Sequence, residues 1–456
     1  MAQLIIQNGT AVTPNGSFKA EIAVKDGKIW AVGGKGALPE AAEKIDATGL
    51  HILPGVIDDH VHFREPGMTY KEDFQTGSMA AAAGGVTTVF DMPNTAPPLT
   101  DVKSLNEKVA LARGRSYVDF TFYAALTDSN VDDIRPLAEA GIAGFKVFMG
   151  ETTGYIRCPN DGLIYEAFRR IKETGRRVGA HAENDAILQH IKSQLVAQGR
   201  KDPIAHLESR PSFAEAEAIS RAILLSEAAG NPFHVFHIST REGVEHVRQA
   251  KSMGLPVTAE VLVSHLLLDD SDYERVGNLI RLNPPIRTLE HQKALWEGIK
   301  RGWIDNIATD HAPHSREEKT AEDVWKAGCG FIGVETSLPL MLTEVNKGRL
   351  SLEEYVRLAC ENPAKIWGIY PRKGSLQIGS DADLVLVDLK KEGTIDSEKL
   401  HNKNRLTPYH GRRVKGMPLY TIVRGQVVMA EGEVKGPPVG EWIRPGGKPF
   451  HQESLS

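Results

Sequence analysis

Apolar runs of four or five residues alternate with longer helical stretches through the middle of the chain, and this order limits the possible folds more than any other feature. Short apolar runs are typical of buried strands, whereas stretches such as 213–229 and 289–300 have the length of helices. A β-α-β-α order predicts an α/β protein with a parallel sheet. At about 320 residues, the segment suits a (β/α)8 TIM-like barrel with insertions better than an open sheet. The runs interpreted as strands are 87–91, 120–123, 145–148, 178–181, 234–237 and 306–310.

The two ends of the chain differ from its middle. Residues 1–53 contain short alternating runs broken by Asn15-Gly16 and Asp26-Gly27, and these dipeptides are typical of hairpin turns. The C-terminal part has similar strand-like runs at 383–388 and 420–425. Because neither end is long enough to bury a core alone, we predict that both ends form one small β-sandwich domain. The predicted division is 1–53 and 373–456 for the β domain with its tail, and 54–372 for a catalytic barrel.

Composition places the chain among ordinary globular proteins and excludes several partners. Of 456 residues, 41% are hydrophobic and 25% are charged, and the formal net charge is −5 without a long charged block. This balance does not indicate a nucleic acid partner. No apolar run reaches the roughly 18 residues of a membrane span, and the N-terminus is typical of a strand rather than of a signal peptide. The widely spaced Cys158, Cys329 and Cys360 favour a reduced, cytoplasmic protein without disulfides.

Two histidines lie one residue apart at the end of an apolar run, in the segment Gly-Val-Ile-Asp-Asp-His-Val-His-Phe-Arg-Glu-Pro-Gly at 55–67. Side chains at i and i+2 of a strand point the same way, so His60 and His62 project together. Two adjacent imidazoles form half of a metal site. The alternative is one structural histidine with a chance neighbour, and the pairing disfavours it.

Further metal-capable residues lie at other predicted strands. Each has an ordinary explanation when taken alone: a hydrogen-bonded core histidine, a helix cap for the aspartate, or a lysine that extends past its aromatic neighbours. In a parallel barrel, however, the carboxyl ends of all strands meet on one face, where active sites lie. Their occurrence at several separate strands therefore favours one shared site. The residues are Lys146, His181, His237 and Asp310.

Four histidines, one aspartate and one lysine together suit a site for two divalent metal ions. Near two metals the lysine pKa should fall, and the neutral amine can add carbon dioxide to give a carbamate whose two oxygens bridge both ions. Two metals bridged by hydroxide generate a nucleophile at neutral pH and polarise a carbonyl. Asp310 can bind one metal, accept the proton of the attacking water and pass it to the leaving nitrogen. The set predicts hydrolysis of an amide or ester carbon rather than redox chemistry.

These motifs resemble the amidohydrolase superfamily, and within it the cyclic amidases: dihydroorotases, allantoinases and hydantoinases. The resemblance covers essentially the whole chain, through Pro-Gly-Val-Ile-Asp-Asp-His-Val-His at 54–62 and on to 373–384, where the chain re-enters the β domain. It implies that His60, His62 and Asp310 hold the more buried metal, that His181 and His237 hold the more exposed one, and that Lys146, as N6-carboxylysine, bridges them. The family implies zinc most often, although the ligands also suit manganese, cobalt or iron. It also implies a homo-dimer or homo-tetramer.

Three local features are similar to dihydroorotases: Arg64 after the histidine pair, Met-Pro-Asn-Thr at 92–95, and Asp-His-Ala-Pro-His at 310–314. Dihydroorotate carries a ring carboxylate, and Arg64, Asn94 and His314 could clamp it with charge-assisted hydrogen bonds. Asn283, in the more widely shared Asn-Pro-Pro-Ile-Arg, is a further substrate-binding candidate. We therefore favour the interconversion of L-dihydroorotate and N-carbamoyl-L-aspartate. An ion pair of Arg64 with Glu65 or a surface acid, and a turn role for Asn94, are the alternatives.

Other segments are more similar to allantoinases and hydantoinases, namely 208–218, 333–342 and 346–350. Ser264 stands where the related enzymes have a histidine, which departs from the pattern. The loop 149–155 has a composition suited to a mobile lid, and it contains Tyr155, a candidate for oxyanion stabilisation. The second hypothesis is therefore an allantoinase or a hydantoinase/dihydropyrimidinase that acts on a five- or six-membered ureide ring. A non-catalytic scaffold relative is the third, and the complete ligand set argues against it.

Overall fold

The computed structural model describes residues 1–154 and 156–446. The strands β1 to β17 are Ala2–Thr13, Gly16–Lys25, Lys28–Gly33, Ala41–Asp46, His51–Pro54, Val56–Val61, Val86–Asp91, Asp119–Ala125, Gly144–Phe148, Val178–His181, Phe233–Val235, Val257–Leu262, Asn306–Ala308, Leu384–Thr394, Arg413–Val423, Gln426–Ala430 and Glu433–Val434. The helices α1 to α15 are Phe74–Ala83, Val102–Ala112, Ile134–Ala140, Asp161–Thr174, Asp185–Ala197, Pro203–Glu208, Ser212–Ala229, Arg241–Ser252, Val263–Leu267, Asp272–Val276, Leu289–Lys300, Arg316–Lys319, Ser337–Asn346, Leu352–Val356 and Asn362–Ile366.

Strands β6 to β13 form a parallel barrel in which each strand pairs with the next one along the chain. The ring closes between its first and last strands, where Val61 bridges His311 and the His62 N–H donates to the His311 carbonyl at 2.8 Å. Helices follow the strands and cover the barrel, because strands that are buried on both faces need a second apolar layer. The predicted (β/α)8 architecture is confirmed.

The predicted helices and strands match the structure more closely in type than in length. The helical stretches 213–229 and 289–300 are α7 and α11. The predicted strands 234–237 and 306–310 end earlier, since β11 stops at Val235 and β13 stops at Ala308. His237 and Asp310 therefore lie just beyond their strands, in the loops at the carboxyl end of the barrel.

Both chain ends contribute to a separate nine-stranded sheet, as predicted. β1 pairs with β2 on one edge and with β4 and β5 on the other, and β5 pairs with β14 from the C-terminal part, for example Ile52 with Leu386. The β2–β3 hairpin turns at Asp26-Gly27, whose φ angles of 52° and 72° suit the left-handed geometry of such a turn. The sheet has its own hydrophobic cluster, which includes Ile6, Ile22 and Leu384. The predicted domain boundaries stay a prediction.

Among the described residues, none of the helices has both the length and the apolar composition that crossing a membrane requires.

Candidate active site

A cavity of about 240 Å³ opens at the carboxyl ends of the barrel strands. The predicted site residues line it together, although they come from strands and loops spread over more than 250 positions of the sequence. Tyr155 lies outside the described residues, so its placement stays untested. The predicted residues at the cavity are His60, His62, Arg64, Asn94, Lys146, His181, His237, Asn283, Asp310 and His314.

His60, His62 and Asp310 form one group that can hold a metal ion, with potential ligand atoms within 4.8 Å of one another. The Oδ1 atom of Asp310 lies 2.9 Å from His62 Nε2 and 3.4 Å from His60 Nε2. Burial lowers the pKa of both histidines well below the ordinary value, and nearby cationic groups add to the effect. Neutral imidazoles are the form that binds metals, so this triad has the donor set of a metal site.

His181 and His237 form a second group on neighbouring parts of the barrel mouth. His181 Nδ1 lies 3.0 Å from His237 Nε2, and the two ring centroids are 4.7 Å apart. His60 lies next to this pair, with its ring centroid 5.2 Å from that of His237. The two groups therefore adjoin, as two neighbouring metal subsites require.

Lys146 lies in β9 and has a wholly buried side chain. Its Nζ atom has no hydrogen-bond partner among the described residues, and it lies 3.7 Å from the centre of the Phe236 ring. Burial lowers the pKa of Lys146 to about 7, although Glu260 and Asp310 oppose this change. An unpartnered amine that is partly neutral at pH 7 fits the chemistry of carbamate formation and suits a bridging role between the two groups.

The predicted ligands have orienting partners that the sequence analysis missed. Glu260 Oε1 lies in hydrogen-bond contact with His60 Nδ1, and Glu183 Oε2 lies 3.1 Å from His181 Nε2. Burial alone would raise the pKa of Glu183, but the paired Arg210 guanidinium and His181 lower it to about 2. Such carboxylates fix the orientation and basicity of metal-binding histidines. Glu183 follows His181 by two residues, and this spacing is the signal in the sequence that could have identified it.

Three site residues other than glycine adopt left-handed backbone conformations. The φ angles are 62° at Arg64, 40° at His237 and 49° at Asp310. This region is unfavourable for residues with a Cβ, and it persists where the surrounding structure imposes it, often at functional sites. Each of the three lies in a loop just past a barrel strand, where the turn directs the side chain into the cavity.

Arg64 is a buried cation that forms no ion pair with a carboxylate among the described residues. Its Nε donates to the Pro313 carbonyl at 3.2 Å, while Nη1 has no hydrogen-bond partner among the described residues. The alternative ion pair with Glu65 does not form, because Glu65 pairs with Arg115 at 2.6 Å. Burial lowers the pKa of Arg64, and Asp310 opposes this. Nη2 of Arg64 lies 3.4 Å from His314 Nε2, so Nη1 is the nitrogen whose hydrogen-bonding capacity is unused among the described residues.

Asn94 and His314 already have protein partners. Asn94 Oδ1 lies 2.7 Å from His62 Nδ1. Its Nδ2 donates to Thr152 and Thr153, in the loop after β9, at 3.2 Å each. His314 Nε2 donates to the Cys329 carbonyl at 3.0 Å, and its Nδ1 lies 3.2 Å from Lys71 Nζ. The polar side-chain atoms of Asn94 and His314 are therefore already engaged in hydrogen bonds and contacts within the protein.

Asn283 differs from these two. It precedes a cis proline, lines the cavity, and has an Oδ1 atom that is buried without a hydrogen-bond partner among the described residues. The hydrogen-bonding capacity of its Oδ1 atom is therefore unused among the described residues.

Comparison with known proteins gives the family. The model of the amidohydrolase family matches residues 51–428. The chain is 42% identical to an L-hydantoinase of Paenarthrobacter aurescens, covering 95% of this chain and 96% of that protein. It is 39% identical to an allantoinase of Rubrobacter xylanophilus, covering 97% of each, and 41% identical to a dihydroorotase of Methanothermobacter thermautotrophicus, covering 91% of each.

Among solved structures, the L-hydantoinase (dihydropyrimidinase) of Arthrobacter aurescens superposes with a TM-score of 0.95 at 41% identity, covering 97% of this chain and all of that one. The chain therefore belongs to the amidohydrolase family. The predicted enzyme class, a hydrolase that acts on cyclic amides, is confirmed by these relatives. Their three different names leave the preference for dihydroorotate without specific support.

Proposed function

We propose that this enzyme opens a cyclic amide or ureide ring by hydrolysis with two divalent metal ions. His60, His62 and Asp310 would hold one ion, His181 and His237 would hold the other, and Lys146 would bridge them as N6-carboxylysine. Two adjoining donor groups and the unpartnered Lys146 amine support this proposal.

Zinc is the metal that we expect at both positions, as the family resemblance implies. When bound, the two ions would supply a nucleophilic water at neutral pH and polarise the ring carbonyl. The residues of the chain do the rest: the buried walls exclude bulk water, and the open Nη1 of Arg64 and the open Oδ1 of Asn283 orient the ring.

Asp310 is suited to move the proton in this reaction. Burial raises the pKa of Asp310 to about 7, and the cations of Lys146 and Arg64 oppose this rise. That pKa belongs to the metal-free site; in the reaction, the role of Asp310 rests on its place at the proposed metal site, where a carboxylate can accept a proton and release it again. We propose that Asp310 takes the proton of the attacking water as the water oxygen bonds to the carbonyl carbon. It then gives that proton to the ring nitrogen as the C–N bond breaks.

Our proposal on the substrate rests on Arg64. A buried guanidinium with an open Nη1 is matched by a carboxylate, which it can bind through charge-assisted hydrogen bonds. We therefore favour a ring that bears a carboxylate, with L-dihydroorotate as the first candidate and N-carbamoyl-L-aspartate as its open form.

Dihydroorotate and dihydrouracil give a direct test, because dihydrouracil is the same ring without the carboxylate. We expect the metal-reconstituted enzyme to prefer dihydroorotate, and Arg64→Met to lower kcat/KM for dihydroorotate by about 10- to 100-fold, the usual worth of a charged hydrogen bond. The value for dihydrouracil should change little. An equal loss on both rings, or a wild-type preference for hydantoin or allantoin, would contradict the carboxylate proposal.

A second candidate is the hydrolysis of hydantoin-type or allantoin-type rings. It is favoured by the contacts of Asn94 and His314, whose polar atoms already have protein partners, so that Arg64 remains alone of the predicted clamp. The names of the similar L-hydantoinase and allantoinase agree with this candidate. Assays on hydantoin and allantoin beside the first two rings separate the candidates. The cytoplasmic location and the homo-dimer or homo-tetramer stay predictions.

A further inference from the structure

We infer that Glu260 couples the two proposed metal subsites, because one of its oxygens positions a ligand of each. The first subsite is His60, His62 and Asp310, and the second is His181 and His237. The inference rests on the proposed function, since it concerns the ligands of the proposed metals. Glu260 lies in β12 with its side chain wholly buried in the barrel, and it is a positioning residue rather than a ligand.

Glu260 Oε1 orients His60 in the first subsite. This oxygen accepts the backbone N–H of His237 at 3.0 Å, and as a carboxylate oxygen it also accepts from His60 Nδ1, which contacts the same atom. With the proton on Nδ1, the lone pair of His60 is on Nε2. That atom faces Asp310 Oδ1 at 3.4 Å, which is the side of the ring that a metal would occupy.

Glu260 also holds the backbone that presents His237 in the second subsite. His237 has a φ angle of 40°, a conformation that needs support from its surroundings. The side chain of Glu260 binds the His237 N–H, and its backbone carbonyl accepts the Ile238 N–H at 2.9 Å. Two consecutive peptide groups are thus tied to one residue. This support keeps His237 Nε2 at 3.0 Å from His181 Nδ1.

Asn94 provides a natural comparison, because it orients a ligand of the first subsite only. Its Oδ1 contacts His62 Nδ1 at 2.7 Å, and its other hydrogen bonds go to the loop at Thr152 and Thr153. Loss of Asn94 should therefore weaken one subsite, whereas loss of Glu260 should weaken both.

The test is a zinc titration of the metal-free full-length protein against a competing chelator. We expect two zinc ions per chain in the wild type. Glu260→Leu, which removes the acceptor, should weaken both by about 100-fold, and Glu260→Gln, which keeps an acceptor oxygen, by about 10-fold. Asn94→Ala should weaken one ion and leave the other. Glu344→Gln, a change at a buried glutamate that pairs with Lys347 and Arg349, should leave both affinities unchanged.

The possible results separate the inference from the proposed function. If the wild type binds no zinc, the proposed function itself fails. If the wild type binds two ions and Glu260→Leu binds both with unchanged affinity, or loses only one, the coupling is wrong. Thermal unfolding of the metal-free variants shows whether each is folded. If Glu260→Leu does not fold, Glu260→Gln decides, since an unchanged affinity for either ion in that variant would contradict the coupling.

Discussion

Two buried clusters of charged and polar groups lie in different parts of this molecule, and they differ in how completely they are paired. At the junction of the barrel and the β domain, Lys373 contacts Asp119, Asp381 at 3.0 Å and Asp383 at 2.5 Å, and Arg424 also contacts Asp119. We call these five residues the junction cluster. Its three aspartates lie close enough to hold a metal, but the Lys373 ammonium is already among them.

The barrel mouth is the opposite case. Lys146 Nζ, Arg64 Nη1, His237 Nδ1 and Asn283 Oδ1 are buried there without hydrogen-bond partners among the described residues. Leaving a buried polar group unpaired costs free energy, so such groups persist where a ligand completes them. We therefore expect the two clusters to have different roles: the paired junction cluster to stabilise the fold, and the unpaired barrel mouth to bind ligands.

Asp310→Asn should give the largest effect at the barrel mouth. Its amide cannot take the proton of the attacking water, so kcat should fall by about 10²- to 10⁴-fold. The free energy of unfolding should change little, because the carboxylate is not held by an ion pair with Lys or Arg in the structure described. Steady-state kinetics with zinc-loaded protein measure the first effect, and urea unfolding measures the second. A variant with wild-type kcat would remove Asp310 from the proposed mechanism.

Two lysine variants, one in each cluster, should differ in their free energy of unfolding. Lys373→Met removes the ammonium that pairs with buried Asp383 and leaves Asp119 with Arg424 alone, so the free energy of unfolding should fall by about 3–5 kcal/mol. Lys146→Met removes an amine that has no hydrogen-bond partner within the described part of the chain, so the free energy of unfolding of the metal-free protein should stay level or rise.

Urea unfolding of both metal-free variants is the measurement. Activity supplies the reciprocal control: folded Lys373→Met should retain turnover, and Lys146→Met should lose it. If the two substitutions lowered the free energy of unfolding equally, the proposed difference between the paired and the unpaired cluster would be wrong.

The Glu183–Arg210 ion pair tests whether pairing, rather than location, sets the role of a buried charge, since it lies at the edge of the site and joins Glu183 Oε2 to the Arg210 guanidinium. The pKa of Glu183 is lowered from 4.5 to about 2. A depressed folded pKa contributes stability above pH 4.5 that is lost as the pH falls toward 2, on the order of 3 kcal/mol. Glu183→Gln cannot titrate, so its unfolding free energy should depend less on pH in this window.

The experiment uses metal-free protein, so that loss of metal in acid does not contribute. The stability difference between wild type and Glu183→Gln should shrink on acidification from pH 4.5 to 2. A constant difference across the window would mean that the pair contributes no pH-dependent stability.

The sequence predicted the barrel and the convergence of its strand-end residues because parallel order alone places all the carboxyl ends on one face. The hydrogen-bonded join of β5 to β14 was predicted only in outline, since pairing between strands more than 300 residues apart leaves no local pattern. The ends of the strands before His237 and Asp310 were also missed. Both residues have positive φ angles, and these follow from the surrounding structure.

The contacts of single side chains were harder to foresee than the predicted ligands. Glu260 lies in an apolar strand and has no spacing relation to His60, 200 residues away, so nothing in the sequence indicated their contact. Asn94 was predicted to face the substrate, but the loop directs its carbonyl oxygen to His62. The composition of a loop does not fix the direction of an amide, which depends on the neighbouring chain.

The zinc content of the reconstituted wild type beside Lys146→Met tests the central claim most directly. We propose that the unpartnered groups at the barrel mouth form a two-metal hydrolytic site bridged by carboxylated Lys146. After incubation with zinc and bicarbonate, we expect two zinc ions per wild-type chain and a loss of at least one ion in folded Lys146→Met. A wild type without bound metal, or a lysine variant that retains both ions, would contradict it.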